Sequence, residues 1–574
     1  MSEGEALSRA LTRLRTAAQA IELPLAAPTR DAARTALDDV CAQLGDYVLP
    51  RLDDLDAPLL VVVGGSTGAG KSTLVNSLIG ERVSASGVLR PTTRTPVLVH
   101  HPVDAAWVER AQILPQVPRL GATGEQVYAL RAVASDRVPR GMAILDAPDF
   151  DSIDEGNRAL SEQLLAAADL WLFVTSAARY ADQVPWDHLK RAAERSASVA
   201  VVLDRTGADQ LPTVRKDLAR LMSTNGLSDS PLFGIEESEL TDGLLPPEAV
   251  ADIAEWLGDL ASDSISRRLV IGSTLEGAIR QITSTSRDAL GAVEHQAATA
   301  TTLLDDVRVV HEQAVRDLMT HATDGTMLRG EVLARWQEYV GTGELFRALE
   351  VKVGRLRDRL FGRRPSGATT SDDVDQAVGT GLHLLILDHA ERAAEAVHRA
   401  WSDQTAGAAI LDDHRGLDRA SRDVRTRAER IAREWRASVF ALVEREGESK
   451  RSKARAMSLG VNAVGVSLMV VVFAGTAGIT GAEVGIAGGT AALGQKVLEA
   501  AFGDQAVRDL AQRAAEDLEA RITALFDDEA ARFTALLPDP DALRTAAVEL
   551  AEAANAVDSE RVVIDLTRSG LEEL

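Results

Sequence analysis

The sequence contains a single cysteine, Cys41, among its 574 residues. A lone cysteine excludes an internal disulfide and a metal cluster held by several thiolates. Aromatic residues make up only 4% of the chain while alanine is abundant, and this composition favours closely packed helices over a β-sandwich. We therefore expect a mostly helical chain, with Cys41 packed against apolar neighbours that recur at helical spacing.

Basic residues are also fewer than acidic residues. The chain has 62 lysines and arginines against 86 aspartates and glutamates, a net charge of −24. Because phosphate contacts need a basic face, this balance argues against nucleic acid as a partner. The N-terminus carries Glu3 and Glu5 and lacks the apolar core of a secretory signal, so we expect the protein to stay on the cytosolic side.

A glycine-rich loop between an apolar run and a helical segment is the strongest signal in the sequence. Residues 59–79 read LLVVVGGSTGAGKSTLVNSLI, which matches the P-loop spacing with a strand before it and a helix after it. Glycines let backbone N–H groups surround phosphates, and the helix adds the positive end of its dipole. Lys71 is expected to reach the β- and γ-phosphates, and Ser72 to ligate Mg²⁺. The predicted nucleotide-binding residues of this loop are Gly65, Ser66, Thr67, Gly68, Ala69, Gly70, Lys71, Ser72 and Thr73.

Short β-rich runs alternate with helical segments from Pro58 onward, as in a parallel sheet with crossover helices. This pattern predicts a doubly wound, mostly parallel α/β domain whose ligand binds at the carboxyl ends of the strands. The predicted strands are 59–63, 97–100, 142–145, 170–175, 199–203 and 232–235.

Two polar segments next to predicted strands supply candidate switch and magnesium residues. In residues 87–96, Thr93 is expected to sense Mg²⁺ and the γ-phosphate, with Thr92 as the second choice. Asp146 directly follows a buried strand and is expected to hold the Mg²⁺ shell through water. An ordinary threonine-rich loop and a loop-capping carboxylate are the alternatives. Asp149 replaces the glycine of the usual Asp-x-x-Gly motif, and since phosphate would repel its carboxylate, we expect a different path or less direct switching.

The base-reading motif is degenerate. A guanine-reading Asn/Thr-Lys-x-Asp should follow the fifth predicted strand, where the chain instead has LDRTG at 203–207. Asp204 and Arg205 stand where the motif has Asn and Lys, and they are the predicted contacts to the nucleotide base. The aspartate that pairs with guanine in the usual motif is absent, unless Asp209 substitutes for it. The catalytic candidates are Lys71, Thr93 and Asp146, and the metal candidates are Ser72, Thr93 and Asp146.

Long helical runs replace the strands from about Asp263 onward. Apolar residues recur three or four apart from Ile279 to Leu318, which resembles a coiled-coil seam on the order of 60 Å long. His311 lies in this seam and is expected to be a core or hydrogen-bonded histidine rather than a ligand. Further helical runs at 331–360, 373–401 and 417–446 complete a predicted stalk.

An uncharged segment near the C-terminal third is long enough to enter a membrane. Residues 456–482 carry no charge, and a second uncharged stretch at 484–495 follows Glu483. Basic residues in 450–455 precede them, as expected on a cytosolic side. We predict a membrane hairpin with both ends cytosolic and Glu483 near the turn or in a polar contact, because burying that carboxylate in hydrocarbon is costly. A single span and a buried hairpin within a soluble bundle are the alternatives.

These segments divide the chain into five predicted parts and give its fold class. The class is an α/β P-loop GTPase domain plus a long all-α stalk with an apolar membrane hairpin. The parts are N-terminal helices at 1–57, the P-loop GTPase domain at 58–262, a helical stalk or coiled coil at 263–450, the membrane-inserting hairpin at 451–503 and return helices at 504–574.

The order of these parts resembles that of a bacterial dynamin-like GTPase. The segments DAPDFDS at 146–152 and AARYADQVPW at 177–186 also resemble a GTPase group common in actinobacteria. The resemblance implies GTP as substrate with Mg²⁺, a homo-oligomer or a hetero-oligomer with a related GTPase, and GTP-driven remodelling of a lipid membrane. It further implies a location at the cytoplasmic face of the cell membrane and a role at division septa.

Departures from the family pattern alter the expected chemistry. Dynamins carry Gln-Ser where this chain has Thr67 and Gly68, so the hydrolytic roles of that pair are not carried over. With Asp149 and Asp204 also departing from the usual motifs, turnover is expected to be slow or dependent on a partner. A soluble assembly or ribosome-associated GTPase and a nucleotide-gated scaffold with little turnover are the alternatives. An ABC-type ATPase is disfavoured because no Ser-Gly-Gly-Gln signature follows the loop.

Overall fold

The structure is a computed structural model of the chain, and its described residues form two compact units. The first unit comprises Met1–Leu23, Pro28–His295 and Asp541–Leu574, and the second comprises Pro24–Ala27 and Gln296–Pro540. The five predicted parts remain a prediction. The structure describes residues 3–85, 95–110, 114, 117–120, 129–149, 155–182, 186, 189–190, 198–324, 331–341, 371–447, 461–473, 495, 498–499 and 502–563.

Helices precede the sheet of the first unit. They are α1 at Glu3–Gln19, α2 at Arg30–Gln43 and, after a π-helical turn at Leu44–Val48, the short α3 at Leu49–Asp53. Cys41 is partly buried against the apolar core that these helices share. Burial raises the pKa of its thiol, which suits a packing role.

The strands form one eight-stranded sheet. They are β1 at Leu59–Gly65, β2 at Val97–His100, β3 at Arg119–Leu120, β4 at Leu130–Ala134, β5 at Met142–Asp146, β6 at Leu170–Ser176, β7 at Ser198–Thr206 and β8 at Leu232–Glu236. Their order is β3-β4-β2-β5-β1-β6-β7-β8. Among the described strand pairs of this sheet, only β2–β5 is antiparallel. This confirms the predicted mostly parallel sheet and its six strands, whereas β3 has two residues and β4 is only partly buried, so neither carries a clear sequence signal.

The other described helices fall between and after the strands. They are α4 at Lys71–Ile79, α5 at Ala105–Glu109, α6 at Glu155–Ala166, α7 at Leu211–Thr224, α8 at Pro247–Ser262, α9 at Ser264–Thr323, α10 at Glu331–Gly341, α11 at Ser371–Ser402, α12 at Thr405–Asp413, α13 at Val424–Gly447, α14 at Val461–Phe473, α15 at Asp504–Thr534 and α16 at Pro540–Val563.

Helices cover both faces of the sheet, as the apolar runs in the strands require. On one face, Leu60 and Val62 of β1 enter a core shared with α1, α6 and α16. On the other, Leu59, Val61 and Val63 enter a core shared with α4 and α8. The alternation of side chains along β1 thus fills two cores from one strand, which is the doubly wound arrangement predicted from the sequence.

A buried ion pair fixes the N-terminal helices to the sheet. Arg51 and Asp169 are both fully buried and paired. Arg51 Nε and the Tyr47 hydroxyl each donate to Asp169 Oδ1 at 3.0 Å, and the Leu60 N–H donates to Oδ2 at 2.7 Å. Arg51 also donates to the carbonyl of Pro58 at 3.0 Å. Because several donors compensate the buried carboxylate, this pair meets the requirement that makes a buried charge tolerable.

The second unit is built around the C-terminal part of α9 and the helices α10 to α15. α9 has 60 residues, which confirms the long helix predicted through this region. His311 on α9 is buried, with its Nδ1 2.8 Å from the Val307 carbonyl and its ring against Phe526 and Phe533. It is therefore a core histidine, as expected, and burial lowers its pKa.

The described helix of the predicted membrane hairpin is α14, and it lies in the core of the second unit. Every residue from Ala463 to Phe473 is buried. The Phe473 ring packs 5.1 Å, centroid to centroid, from Trp435 of α13, and apolar residues of α11, α13 and α15 belong to the same core. Its 13 residues span about 20 Å, against about 30 Å of hydrocarbon in a bilayer.

The structure therefore shows α14 enclosed by protein, where the sequence predicted a helix facing lipid. A helix that is apolar on all sides suits either environment, and here the neighbouring helices supply the apolar surroundings. Across the described ranges, no helix combines the length and apolar composition needed to cross a membrane. Residues 448–460 and 474–494, which include Glu483 and most of the second predicted arm, lie outside the described residues.

Candidate nucleotide-binding site

The P-loop runs from the end of β1 to the start of α4, and two glycines shape it. A Cβ at Gly65 would collide with the Val174 carbonyl of β6, and a Cβ at Gly70 would collide with Asp204 Oδ2. Gly70 also has φ +101°, a conformation that side chains disfavour. Both positions therefore require glycine, because the loop passes close to the ends of β6 and β7.

Lys71, the first residue of α4, is surrounded by acceptors. Its Nζ donates to the carbonyls of Gly65 at 2.8 Å and Ser66 at 3.1 Å and forms an ion pair with Asp149. The expected repulsion of Asp149 from phosphate stays a prediction, and the structure pairs its carboxylate with Lys71. Three acceptors match the three donors of an ammonium group.

Asp146 lies fully buried at the end of β5, beside Ser72. Its Oδ2 accepts hydrogen bonds from the hydroxyls of Ser72 at 2.6 Å and Ser84 at 2.5 Å. Its Oδ1 is buried and has no hydrogen-bond partner among the residues that the structure describes. Burial raises the pKa of the Asp146 carboxyl, although both hydroxyls act in the opposite direction.

This arrangement fits a hydrated magnesium ion. Mg²⁺ in nucleotide sites commonly takes one or two protein oxygens together with water and phosphate oxygens. The partnerless Asp146 Oδ1 and the adjacent Ser72 hydroxyl offer that donor set, and a cation would favour the ionised carboxylate.

Ser84 is a site residue that the sequence motifs do not identify. Asn76 of α4 is fully buried, and its Oδ1 accepts from the N–H groups of Val83 and Ser84, both at 2.9 Å. Its Nδ2 donates to the Ser84 carbonyl at 2.9 Å. Asn76 thereby fixes the loop that brings the Ser84 hydroxyl to Asp146. The only sequence signal for this contact is a polar residue among the apolar residues of α4.

The structure brings together Lys71, Ser72 and Asp146 at the carboxyl ends of β1 and β5. It adds Ser84 and Asp149 to this group. Thr93 lies in residues 86–94, outside the described residues, so its predicted metal and catalytic roles stay predictions.

The predicted base-side residues lie against the P-loop. Asp204 is 3% exposed at the end of β7, next to Gly70, and its Oδ1 accepts from the Arg205 N–H at 2.8 Å. Burial raises the pKa of its carboxyl. Arg205 has φ +54°, an uncommon conformation for a side-chain-bearing residue, and its side chain is exposed. Two exposed carboxylates follow, Asp209 after β7 and Glu237 after β8.

The P-loop part of this site lies in a segment that matches the sequence model of a known family. Residues 61–117 match the sequence model of the Dynamin family. The match begins in β1 and includes the P-loop and α4. At the level of this domain it supports a GTP hydrolase, as predicted. It does not resolve the actinobacterial-type subgroup, which stays a prediction.

Two relatives align with part of the chain. A chloroplastic protein of Arabidopsis thaliana, named as a probable FZO-like transmembrane GTPase, is 30% identical over 132 residues, which cover 23% of this chain and 13% of the relative. The cystic fibrosis transmembrane conductance regulator of Danio rerio is 29% identical over 154 residues, which cover 26% of this chain and 10% of the relative. The aligned segments thus represent a small fraction of either relative.

Solved structures named as bacterial dynamins align with nearly the whole length of this chain, at low sequence identity. Two structures of an oligomerised bacterial dynamin pair, described as a mechanism for long-range sensing and tethering of membranes, each cover 96% of this chain and 95% of their own at 11% identity, with TM-scores of 0.39 and 0.41. LeoA, a bacterial dynamin GTPase from ETEC, covers 100% of this chain and 97% of its own at 13% identity and a TM-score of 0.23. TM-scores this low do not establish a shared arrangement.

Proposed function

We propose that the chain is a dynamin-like GTPase that binds and hydrolyses GTP with Mg²⁺ and couples turnover to self-assembly and membrane remodelling. The observation that carries the proposal is the convergence of Lys71, Ser72 and Asp146 within and beside a segment that matches the Dynamin family. Phosphoryl transfer depends mainly on positioning and charge neutralisation, which such a group supplies.

Each residue of the group has a distinct proposed task. Lys71 binds oxygens of the β- and γ-phosphates, while the backbone N–H groups of the loop surround them. Ser72 holds Mg²⁺ directly and Asp146 holds it through water, with Thr93 proposed as a further metal and switch residue. The ion, when bound, neutralises charge that develops on the phosphates.

Guanine is the proposed base. Asp204 keeps the loop after β7 against Gly70, and Arg205 presents an exposed planar guanidinium beside the loop, which suits stacking on a base. The preference for guanine over adenine is inferred from the Dynamin match, and Asp209 is the proposed substitute for the reading carboxylate.

The proposed setting is the cytoplasmic face of the cell membrane, with a homo-oligomer or a hetero-oligomer with a related GTPase as the assembled form. The Dynamin match and a relative named as a transmembrane GTPase support this setting. Because α14 is enclosed by α11, α13 and α15, the membrane contact proposed here does not use α14 in the described arrangement. A role in septation rests on the sequence resemblance alone.

Phosphate release measured across protein concentrations, with and without anionic liposomes, tests this function. Wild-type protein should turn over GTP, faster at higher concentration and with liposomes, and should sediment with them. Lys71→Ala should lose turnover, because the lysine binds phosphate through a point charge. Its circular dichroism spectrum should match that of wild type, while its melting temperature should fall because Asp149 loses its ion-pair partner. Lys216→Ala, which removes an exposed lysine on α7, is the matched control and should keep full turnover.

Other results would favour the alternatives. Turnover that is independent of liposomes and concentration, with the protein in the supernatant, would indicate a soluble GTPase. Nucleotide binding without phosphate release under any of these conditions would indicate a nucleotide-gated scaffold.

A further inference from the structure

The pairing of Lys71 with Asp149 is the least expected contact in the site. The Lys71 side chain is 6% exposed and that of Asp149 14% exposed, so water and salt screen the pair only weakly. With the Gly65 and Ser66 carbonyls, Asp149 completes the acceptors around the ammonium. The group that a P-loop presents to phosphate is therefore already bound to an anion of the same chain.

The two residues that precede Asp149 hold it in this position. The Ala147 N–H donates to the Val63 carbonyl of β1 at 3.2 Å, which extends the sheet contact just beyond β5. The Pro148 carbonyl accepts from the Ser161 hydroxyl of α6 at 2.8 Å. Proline also restricts its own backbone. The carboxylate is thus supported by ordered neighbours and does not reach the lysine from a solvated surface.

We propose that Asp149 is an internal ligand of the phosphate subsite, which the terminal phosphate of a nucleoside triphosphate must displace in order to bind Lys71. A carboxylate and a phosphate present charge of the same sign and the same kind of acceptor oxygen to an ammonium. They compete for it, and they repel each other when both are close. This inference rests on the proposed nucleotide site and adds a residue that sets its affinity.

Competition predicts a selectivity that a purely structural ion pair would not produce. Lys71 reaches the β- and γ-phosphates, so Asp149 should weaken binding of a triphosphate most, a diphosphate less and a monophosphate hardly at all. Replacing Asp149 in a purely structural pair would change protein stability alone and leave the ratio of these three affinities unaltered.

Calorimetric titration of the full chain with GMP, GDP and GMPPNP in Mg²⁺ measures this ratio. Asp149→Asn keeps the shape and removes the charge, and it should raise GMPPNP affinity about tenfold or more, because release of the pair and loss of repulsion act together. Asp149→Gly, which restores the usual glycine, should do at least as much. GMP affinity should stay within about twofold of the wild-type value. Asp229→Asn changes the same charge at an exposed position and is the control.

The outcomes separate this inference from the function on which it rests. Equal gains for GMP, GDP and GMPPNP, or a similar gain with Asp229→Asn, would indicate a general charge effect and overturn the inference. Unchanged or weaker GMPPNP binding by both Asp149 variants, with a circular dichroism spectrum that shows folded protein, would overturn it while wild-type binding upholds the nucleotide site. Failure of wild type and both variants to bind GMPPNP or an ATP analogue would overturn the nucleotide site itself.

Discussion

Asp146 and Asp169 are two fully buried carboxylates of the first unit, and they differ in how completely their charges are compensated. Asp169 precedes β6 and is compensated by Arg51, Tyr47 and a backbone N–H. Asp146 ends β5, receives two hydroxyl hydrogen bonds, and keeps one oxygen without a partner in the described part of the chain. A fully compensated charge is typical of structure, whereas an incompletely compensated one in a cleft is typical of a binding site.

Replacing Asp169 should destabilise the first unit strongly. Asp169→Ala leaves the Arg51 guanidinium buried without its charge partner, and the expected cost is about 3–5 kcal/mol in the free energy of unfolding. Asp56→Ala is the matched control, because Asp56 pairs with Arg268 at 2.8 Å on the surface, where a pair contributes about 1 kcal/mol or less. Urea unfolding followed by tryptophan fluorescence compares the variants.

The double variant Arg51→Met/Asp169→Ala extends this test. It should lose less stability than the two single changes added together, since neither charge is then left alone. Additive losses would mean that the two side chains act independently, contrary to the contact described here.

At the residue scale, the sequence predicts the positions of residues that belong to a motif with fixed spacing. The positions of Lys71, Ser72 and Asp146 follow from a motif in which strand, loop and helix fix the geometry. Ser84 reaches Asp146, and Arg51 reaches Asp169, only through the fold, and the sequence contains no periodic signal for such contacts. Asp149 was recognised as unusual, but its attraction to Lys71 depends on a loop path that local residues do not specify.

At the scale of elements, the sheet was predicted more fully than the apolar C-terminal segment. Strand runs such as β1 are bounded by turns and buried on both faces, which makes their sequence pattern distinctive. α14 has apolar side chains on all sides, and this pattern is the same for a helix in lipid and for one enclosed by protein. Its surroundings are set by how α11, α13 and α15 pack around it, which the residues of α14 alone do not specify, so sequence reasoning favoured the wrong environment.

A glycine in α14 offers a direct test of its protein surroundings. A Cβ at Gly465 would collide with the Phe440 ring of α13. Gly465→Ala should therefore destabilise the second unit by about 1–3 kcal/mol, as overpacking does in a filled core. Urea unfolding measures the change. Gly291→Ala on α9 is the control, because its Cβ would meet nothing within 4 Å and alanine favours a helix by about 1 kcal/mol over glycine.

Equal stability of Gly465→Ala and wild type would contradict the packing described for α14. The same result, combined with loss of the protein from the soluble fraction, would indicate that this helix faces lipid.

At the scale of the whole molecule, both ends of the chain belong to the first unit. Leu550 and Val557 of α16 share a core with Leu7 and Leu11 of α1. Arg13 of α1 also pairs with Glu552 of α16 at 3.0 Å. The sequence predicted helices at 1–57 and 504–574, but it does not state which apolar helix faces meet. That pairing is a property of the folded chain and becomes visible only in the structure.

The central claim is that the P-loop of this chain is a magnesium-dependent guanine-nucleotide site. Calorimetric titration with GTP and ATP analogues, with and without Mg²⁺, tests it most directly in wild type and in Lys71→Ala. Binding should require Mg²⁺, should be tighter for the guanine analogue, and should be lost in Lys71→Ala, whose helix content measured by circular dichroism without nucleotide is expected to match that of wild type. Unchanged affinity in Lys71→Ala would contradict the phosphate-loop assignment, and equal affinity for the two analogues would contradict guanine selectivity.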